Sequence, residues 1–185
     1  MRHRLPIVVL FMSVALCLAV ITVGADTPRY DYTNDKVLHV VGTAHLDTQW
    51  WWTIQRTISE YIPDTLRGNF ALIDKYPNYT FSFEGVFRFM RAKEYYPDDF
   101  AQLKRYIAQN RWAVCGSSID AGDVNIPSPE AIMRNIMYGN RYYRHEFGKT
   151  SRDIFLPDCF GFGYTLPSIA AHRCATESPN GHSAG

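Results

Sequence analysis

The chain has 185 residues, of which 46% are hydrophobic and 20% charged, and its formal net charge is +1. This composition is typical of a globular protein and excludes an intrinsically disordered chain. No basic cluster follows the N-terminus, so nucleic acid is excluded as an expected partner.

The N-terminus has the pattern of a secretory signal peptide. Arg2 and Arg4 precede an almost entirely apolar run over residues 5–23, and small residues follow it. We therefore predict that residues 1–25 are a cleaved signal and that residues 26–35 form a short N-terminal segment. The mature protein would be exported, to the exterior, the periplasm or the secretory lumen, without stable membrane insertion. Because the apolar run is long, an uncleaved signal anchor is the alternative.

Four apolar segments after this region have the composition of buried β-strands. Each is short, contains β-branched or aromatic residues, and ends at a polar or glycine-containing loop. The predicted strands are residues 37–42, 79–83, 112–115 and 153–156.

Helical patterns separate the predicted strands. Apolar residues recur at three- and four-residue steps over residues 58–73, where Pro63 predicts a kink or a restart. Pro97 begins a second helix, and Ser128 begins a third that extends to Gly148. This alternation predicts an α/β fold of right-handed βα units with a mainly parallel sheet, whose reactive groups gather beyond the carboxyl ends of the strands.

The loop after the first predicted strand contains a candidate metal-binding pair. His45 and Asp47 are separated by one residue, and alternate side chains of an extended segment point the same way. Both can therefore bind one ion, and an imidazole with a carboxylate suits zinc. The alternative is that the two residues cap the following helix and bond to the loop.

Four further carboxylates follow the other predicted strands, namely Glu84, Asp120, Asp123 and Asp158. Glu84 and Asp123 are candidates to contact and orient the metal ligands, and the alternative for each is a solvated loop carboxylate. Asp158 precedes Gly161 and Gly163, and an Asp before such a turn is commonly a turn residue. Its place after a buried strand, at the same edge as the His-x-Asp pair, favours a site residue.

Three consecutive tryptophans, Trp50, Trp51 and Trp52, follow the His-x-Asp pair. They cannot all be buried on one face, and an exposed indole beside polar groups can stack on the apolar face of a sugar. The alternative is that two of them pack in the core and one lies on the surface.

Three motifs occur in chain order on these elements. They are residues 41–50 (VGTAHLDTQW), residues 123–130 (DVNIPSPE) within the segment 120–134, and residues 157–162 (PDCFGF). Together they resemble the N-terminal domain of the α-mannosidases of glycoside hydrolase family 38. The resemblance covers residues 36–172.

The resemblance implies a fold, a cofactor and a chemistry. The fold would be a seven-stranded α/β barrel, of which this chain supplies the opening units. Zinc would be bound by His45, Asp47 and Asp158, and Asp158 would also be the nucleophile of a retaining mechanism. Trp50 corresponds to an aromatic residue that stacks on the mannose ring, and Phe160 to an apolar wall. The implied substrate is a mannose-containing glycan.

Two features depart from the family pattern. The fourth zinc ligand, a His, and the acid/base, an Asp, are expected beyond residue 185. Residues 173–185 are polar and rich in small residues, so they form a divergent tail in place of the next strand. We therefore expect the chain to be an incomplete catalytic domain that is inactive by itself.

These residues favour an exported, zinc-dependent, retaining α-mannosidase. One rival is an inactive fragment that binds sugar or metal. The other rival is a metal-dependent amide or ester hydrolase, since a His-x-Asp pair at a strand end serves those enzymes too. Trp50 and the Asp158 motif favour the glycosidase over the amidase.

Overall fold

The structure is a computed structural model that describes the backbone of residues 33–176 and the side chains of residues 33–171. The predicted signal peptide and the end of the predicted tail lie outside the described residues. Residues 33–39 belong to a separate unit and contain no helix or strand. All the described helices and strands lie in the second unit, which begins at Val40.

The second unit is built on a sheet of three parallel strands. The strands are β1 (Gly42–Ala44), β2 (Phe81–Glu84) and β3 (Trp112–Cys115), and β2 is central. Both pairs of neighbours are parallel, as crossover connections through helices require. The α/β class with parallel βα units is therefore confirmed, and the seven-stranded barrel stays a prediction.

The first crossover is one long helical segment with a change of geometry inside it. It consists of α1 (Ile54–Arg56), a π-helical turn (Thr57–Tyr61) and α2 (Ile62–Lys75). The π-helical turn ends just before Pro63, which has no N–H to continue an α-helical ladder. The predicted restart of the helix at Pro63 thus takes the form of a π turn.

Four further helices complete the described part of the unit. They are α3 (Val86–Tyr95), α4 (Pro97–Ala108), α5 (Pro129–Phe147) and α6 (Leu166–Thr176). The sequence patterns predicted α4 and α5, including the Ser128 cap, whose hydroxyl accepts the N–H of Ala131 at 3.2 Å. Gly148 ends α5 with φ +64°, which is the left-handed conformation of many helix ends. The helix α3 was not predicted.

The predicted strand over residues 37–42 is wrong for all but its last residue. Val40 and Val41 are 79% and 57% exposed, and pairing with β2 begins at Gly42 opposite Phe81. Residues 76–79 form a turn in which the N–H of Tyr79 donates to the carbonyl of Tyr76 at 3.1 Å. Because this turn delays the start of β2, the predicted strand 79–83 starts two residues late, and no strand of the described residues pairs with Val40 or Val41.

The predicted fourth strand, residues 153–156, has no strand geometry. The N–H of Ser117 donates to the carbonyl of Asp153 at 3.1 Å, so the segment does lie beside the end of β3. However, the N–H of Gly116 donates to the Asp153 carboxylate at 3.0 Å, and Gly116 has φ +65°. The Asp153 carboxylate therefore takes the place of a backbone partner for Gly116, and the chain leaves the strand direction of β3 at Gly116, so no strand pairing forms with residues 153–156.

The main core lies where the helices α2, α3 and α4 cover the sheet. Trp112 of β3 is fully buried, and its ring meets the Phe81 ring edge-on with centroids 4.7 Å apart. Phe70 of α2 contacts the same indole at 5.8 Å. This aromatic packing fixes the strands in register and thereby fixes the loops at their carboxyl ends. Within the described residues, no helix is long and apolar enough to cross a membrane.

Candidate active site

The register of β1 and β2 places His45 beside Glu84. Ala44 pairs with Phe83, so the next residue of each strand lies at the same level of the sheet. Nδ1 of His45 hydrogen-bonds to Oε1 of Glu84, which is only 1% exposed. The buried carboxylate orients the imidazole so that Nε2 points away from the sheet.

Three of the predicted site residues come together on the Nε2 side. Nε2 of His45 lies 3.3 Å from Oδ1 of Asp47 and 3.8 Å from Oδ2 of Asp158. One ligand atom from each residue lies within 4.8 Å of the others. The side chains of His45, Asp47 and Asp158 are 26%, 37% and 52% exposed, so a ligand can reach them from solvent.

The cluster lies in an open cleft of about 550 Å³. Charged and polar groups dominate the lining, which comes from the loops after β1 and β3 and from the segment around Asp158. The residues lining this cleft are His45, Asp47, Thr48, Gln49, Ile54, Arg88, Asp120, Ala121, Gly122, Asp123, Leu156, Pro157, Asp158 and Cys159.

The two predicted sugar-contacting rings stand at the margin of the cleft. Trp50 directly follows the lining residue Gln49 and is 69% exposed, and Phe160 directly follows Cys159 and is 93% exposed. Trp50 meets its neighbour Trp51 edge-on, with ring centroids 5.4 Å apart. Both rings are accessible, but they do not line the cleft formed by the described residues.

The three tryptophans divide differently from the predicted alternative. Trp50 and Trp51 are exposed, whereas Trp52 is half-buried. Nε1 of Trp52 donates to the Thr57 hydroxyl at 2.8 Å, and this hydroxyl donates to the carbonyl of Thr48 at 2.8 Å. The half-buried indole therefore anchors the loop that carries the cleft residues.

Asp123 lies on the cleft without contacting the His-Asp-Asp cluster. Its Oδ1 accepts the N–H of Asn125 at 2.6 Å, which is an Asx turn that shapes the loop. No hydrogen bond or ion pair joins Asp123 to His45, Asp47 or Asp158 in this structure, and its contact with the metal ligands stays a prediction. Glu84, by contrast, does contact one of them.

Burial raises the pKa of Glu84, and this effect outweighs the opposing hydrogen bond from His45 and the nearby Arg88 charge. Oε2 of Glu84 has no hydrogen-bond partner among the described residues. Among the described residues, the ionised form of Glu84 is therefore favoured only by its His45 contact and by the charge of Arg88, and burial outweighs both.

The sequence analysis missed Arg88, and although it placed Asp120 after a predicted strand, it gave Asp120 no hydrogen-bonding function. Arg88 is 2% exposed and donates to Oδ1 of Asp120 and to the carbonyl of Leu46. The hydroxyl of Thr48 donates to the other carboxylate oxygen, Oδ2 of Asp120. A charged residue in the first turn of a helix that directly follows a strand was the available signal.

Comparison with known proteins identifies the family. The model for the N-terminal domain of the glycosyl hydrolases of family 38 matches residues 35–177. The chain belongs to this family. The segment 36–172 assigned from the three motifs lies inside the matched range.

The curated relatives that this chain resembles are named α-mannosidases. The chain is 30% identical over 132 residues to α-mannosidase G of Dictyostelium discoideum, which covers 71% of this chain and 12% of that protein. It is 27% identical over 141 residues to α-mannosidase 2C1 of Homo sapiens, covering 76% and 13%. It is 29% identical over 144 residues to an α-mannosidase of Saccharomyces cerevisiae, again covering 76% and 13%. The matches thus span about one eighth of the length of these relatives.

The donor set fits the zinc ion that the resemblance implies. One imidazole nitrogen and two carboxylates are ligands that zinc accepts, and together they leave a place for the fourth ligand, the His that the resemblance assigns beyond residue 185. A carboxylate bonded to the other ring nitrogen is the usual partner of a metal-binding His, because it fixes the orientation and tautomer of the ring. Glu84 occupies that place against His45.

Proposed function

We propose that these residues belong to a zinc-dependent, retaining α-mannosidase that releases terminal α-mannosyl residues from glycans. The observation that carries the proposal is the convergence of His45, Asp47 and Asp158 at the carboxyl edge of a parallel sheet, in a chain of family 38. The names of the curated relatives support mannosides as the substrate class.

Asp158 is the proposed nucleophile. Its side chain is 52% exposed and faces the open cleft, so its carboxylate can reach the anomeric carbon of a bound sugar. Attack would form a covalent glycosyl–enzyme bond as the glycosidic C–O bond breaks, and the leaving oxygen would take a proton from the acid. Water, deprotonated by the same group acting as base, would then cleave the glycosyl–enzyme bond with net retention of configuration. The second carboxyl group, which serves as acid and base, is the Asp that the resemblance assigns beyond residue 185.

His45, Asp47 and Asp158 would hold the zinc ion. When bound, zinc supplies positive charge that orients the sugar hydroxyls and stabilises negative charge near the reacting centre. Glu84 keeps Nε2 of His45 directed at this position, which is its proposed function. Trp50 offers an exposed indole for stacking on the sugar ring, and Phe160 offers an apolar wall.

Hydrolysis of an aryl α-mannoside by the complete gene product tests the reaction. We expect the first-formed free mannose to be the α-anomer in the proton NMR spectrum, because two displacements at one carbon retain configuration. A β-anomer formed first would refute Asp158 as the nucleophile. Hydrolysis of an aryl acetate but not of the mannoside would favour the amide or ester hydrolase instead.

Zinc binding is tested separately from turnover. We expect one Zn²⁺ per molecule of the purified complete gene product by elemental analysis after dialysis, and its loss in Asp158→Asn. The matched control is Asp98→Asn, since Asp98 is an exposed residue in the first turn of α4. Equal zinc content in the two variants would refute Asp158 as a ligand.

We also propose that the protein is exported. The support is the basic and then apolar pattern of residues 1–25. Cell fractionation with N-terminal sequencing tests it: we expect the exported fraction to carry a new N-terminus near residue 26, and protein found only in the cytosol with Met1 intact would refute export.

A further inference from the structure

A buried arginine lies behind the loop that carries two of the candidate metal ligands. Arg88, in the first turn of α3, is 2% exposed, and both of its terminal nitrogens are hydrogen-bonded, whereas its Nε has no partner among the described residues. One terminal nitrogen, Nη2, donates to the carbonyl of Leu46. The other, Nη1, donates to Oδ1 of Asp120.

Asp120 extends this contact to the other side of the same loop. Its second oxygen, Oδ2, accepts the hydroxyl of Thr48. Leu46 and Thr48 are the two chain neighbours of Asp47. The ion pair therefore holds the loop on both sides of a candidate ligand, and we call it the Arg88–Asp120 bracket.

The backbone around the bracket leaves room for it. Gly85 begins α3 with φ +75°, and a Cβ there would lie 2.5 Å from Nη1 of Arg88. Glycine is thus needed both for the conformation and for the space that the guanidinium occupies. A larger residue at this position would force the guanidinium of Arg88 or the backbone to shift.

The other end of the bracket is anchored to helix α5. Nδ2 of Asn135 donates to the backbone carbonyl of Asp120 at 3.0 Å, and Oδ1 of Asn135 accepts the N–H of Ile119 at 2.9 Å. Asp120 is therefore held from its backbone as well as from its side chain. A fixed carboxylate can position the Thr48 hydroxyl, whereas a mobile one could not.

We propose that Arg88 and Asp120 are positioning residues that set the direction of the Asp47 carboxylate toward the metal. This inference rests on the proposed function, since it takes Asp47 as a ligand. Asp47 follows a three-residue strand, and its own loop has little regular structure to fix it. Bonds to both of its neighbours remove that freedom before the metal binds, so less ordering is needed on binding.

A substitution at Thr48 can remove the hydrogen bond between Thr48 and Asp120 and leave the Arg88–Asp120 ion pair intact. Thr48→Val replaces only the hydroxyl by a methyl group, and Thr48→Ser restores the hydroxyl. Thr48→Ala is a second variant, because it removes the hydroxyl without adding apolar bulk. Thr53→Val is the matched control, since Thr53 lies in the same loop, is exposed, and makes no side-chain cap bond to α1.

The measurements are Zn²⁺ affinity by competition with a chromophoric chelator and the visible absorption of the Co²⁺-substituted complete gene product. We expect Thr48→Val and Thr48→Ala to weaken Zn²⁺ binding about tenfold, in the range for residues that orient ligands. Their Co²⁺ bands should change in intensity, because the direction of one ligand changes. Thr48→Ser and Thr53→Val should match the wild type in both measurements.

The outcomes separate this inference from the proposed function. If the wild type binds zinc and the hydroxyl-free Thr48 variants bind it equally well with the same Co²⁺ spectrum, the bracket does not position Asp47 and only this inference falls. The same holds if Thr48→Ser fails to restore affinity, because the hydroxyl is then not the cause. If the wild type binds no zinc at all, the proposed metal site falls, and the positioning of a ligand falls with it.

Discussion

Glu84→Gln is the substitution that tests most directly how the sheet supports the site. Glu84 is 1% exposed and bonds Nδ1 of His45, so it contacts no solvent and lies on the far side of the ring from the proposed metal. Glutamine keeps the size of the side chain and an oxygen that accepts the Nδ1 proton. The substitution removes the negative charge that makes Nε2 of His45 a stronger electron donor to a metal ion.

The expected magnitude follows from that geometry. Loss of a charged partner behind a metal-binding His lowers metal affinity by about 10- to 100-fold, which corresponds to about 1.4–2.7 kcal/mol. The metal-free protein should keep its stability within about 1 kcal/mol. The reason is that burial raises the pKa of Glu84, so the ionised form is already costly in the fold.

Two assays on the complete gene product separate these effects. Competition with a chromophoric chelator gives the Zn²⁺ affinity, and urea unfolding of the metal-free protein gives the stability. Glu60→Gln is the matched control, because Glu60 is 51% exposed, pairs with Arg56 and lies outside the cleft. Unchanged zinc affinity in Glu84→Gln would refute the orienting function of Glu84, as would equal losses in both variants.

Three further predictions concern single residues. In the complete gene product, Asp158→Asn should lower mannoside turnover at least about a thousandfold while Asp98→Asn leaves it unchanged, and a loss below about tenfold would make Asp158 a turn residue. Trp50→Ala should raise KM for an aryl mannoside about tenfold with zinc affinity unchanged, and equal losses of both would contradict stacking. Burial alone would raise the pKa of Asp153, but the Ser151 hydroxyl and further hydrogen bonds hold that pKa below its usual value. This carboxylate therefore contributes stability that is present above the ordinary Asp pKa and lost as pH falls through the folded value. Urea unfolding should show Asp153→Asn about 1–2 kcal/mol less stable at pH 7, and the difference should shrink as the pH is lowered below the ordinary Asp pKa; a constant difference would refute this.

The elements predicted correctly are those with strong local signals. Ser128 and Gly148 mark the two ends of α5 by a cap and a left-handed residue, and both signals hold in the structure. The helix α3 was missed because Gly85 begins it without a side-chain cap and because one of its buried residues is Arg88. A charged residue on the inner face hides the apolar periodicity that predicts a helix.

The strand errors have a different cause. Residues 37–41 and 153–156 are as apolar as true strands, but a strand also needs a partner at the same level of the sheet. A turn before β2 removes the partner from the first segment, and the bond between Gly116 and the Asp153 carboxylate replaces the ladder for the second. Both are contacts between distant parts of the chain, which apolar composition does not encode.

The difference between local sequence signals and contacts of distant residues also explains which site residues were predicted. His45 and Asp47 are close in sequence, so their spacing alone predicts a shared ligand, and Asp158 lies in a motif of its own. The contacts of Arg88 join residues that are 42 and 32 positions apart, with Leu46 and Asp120 respectively. Only the packing of α3 against the sheet brings these groups together.

Burial separates the groups that would meet a ligand from the groups that hold them. The side chains of His45, Asp47 and Asp158 are between 26% and 52% exposed, whereas Glu84 and Arg88 are 1% and 2% exposed. A hydrogen bond to a charged group is stronger away from water than in solvent. The buried Glu84 and Arg88 can therefore fix the positions of the accessible groups. Glu84 and Arg88 are also electrostatically coupled, because burial raises the pKa of Glu84 and the charge of Arg88 lowers it. Substitutions of the accessible ligands should therefore lower metal affinity at nearly constant stability. Removal of the Arg88 charge should lower both the metal affinity and the stability of the fold.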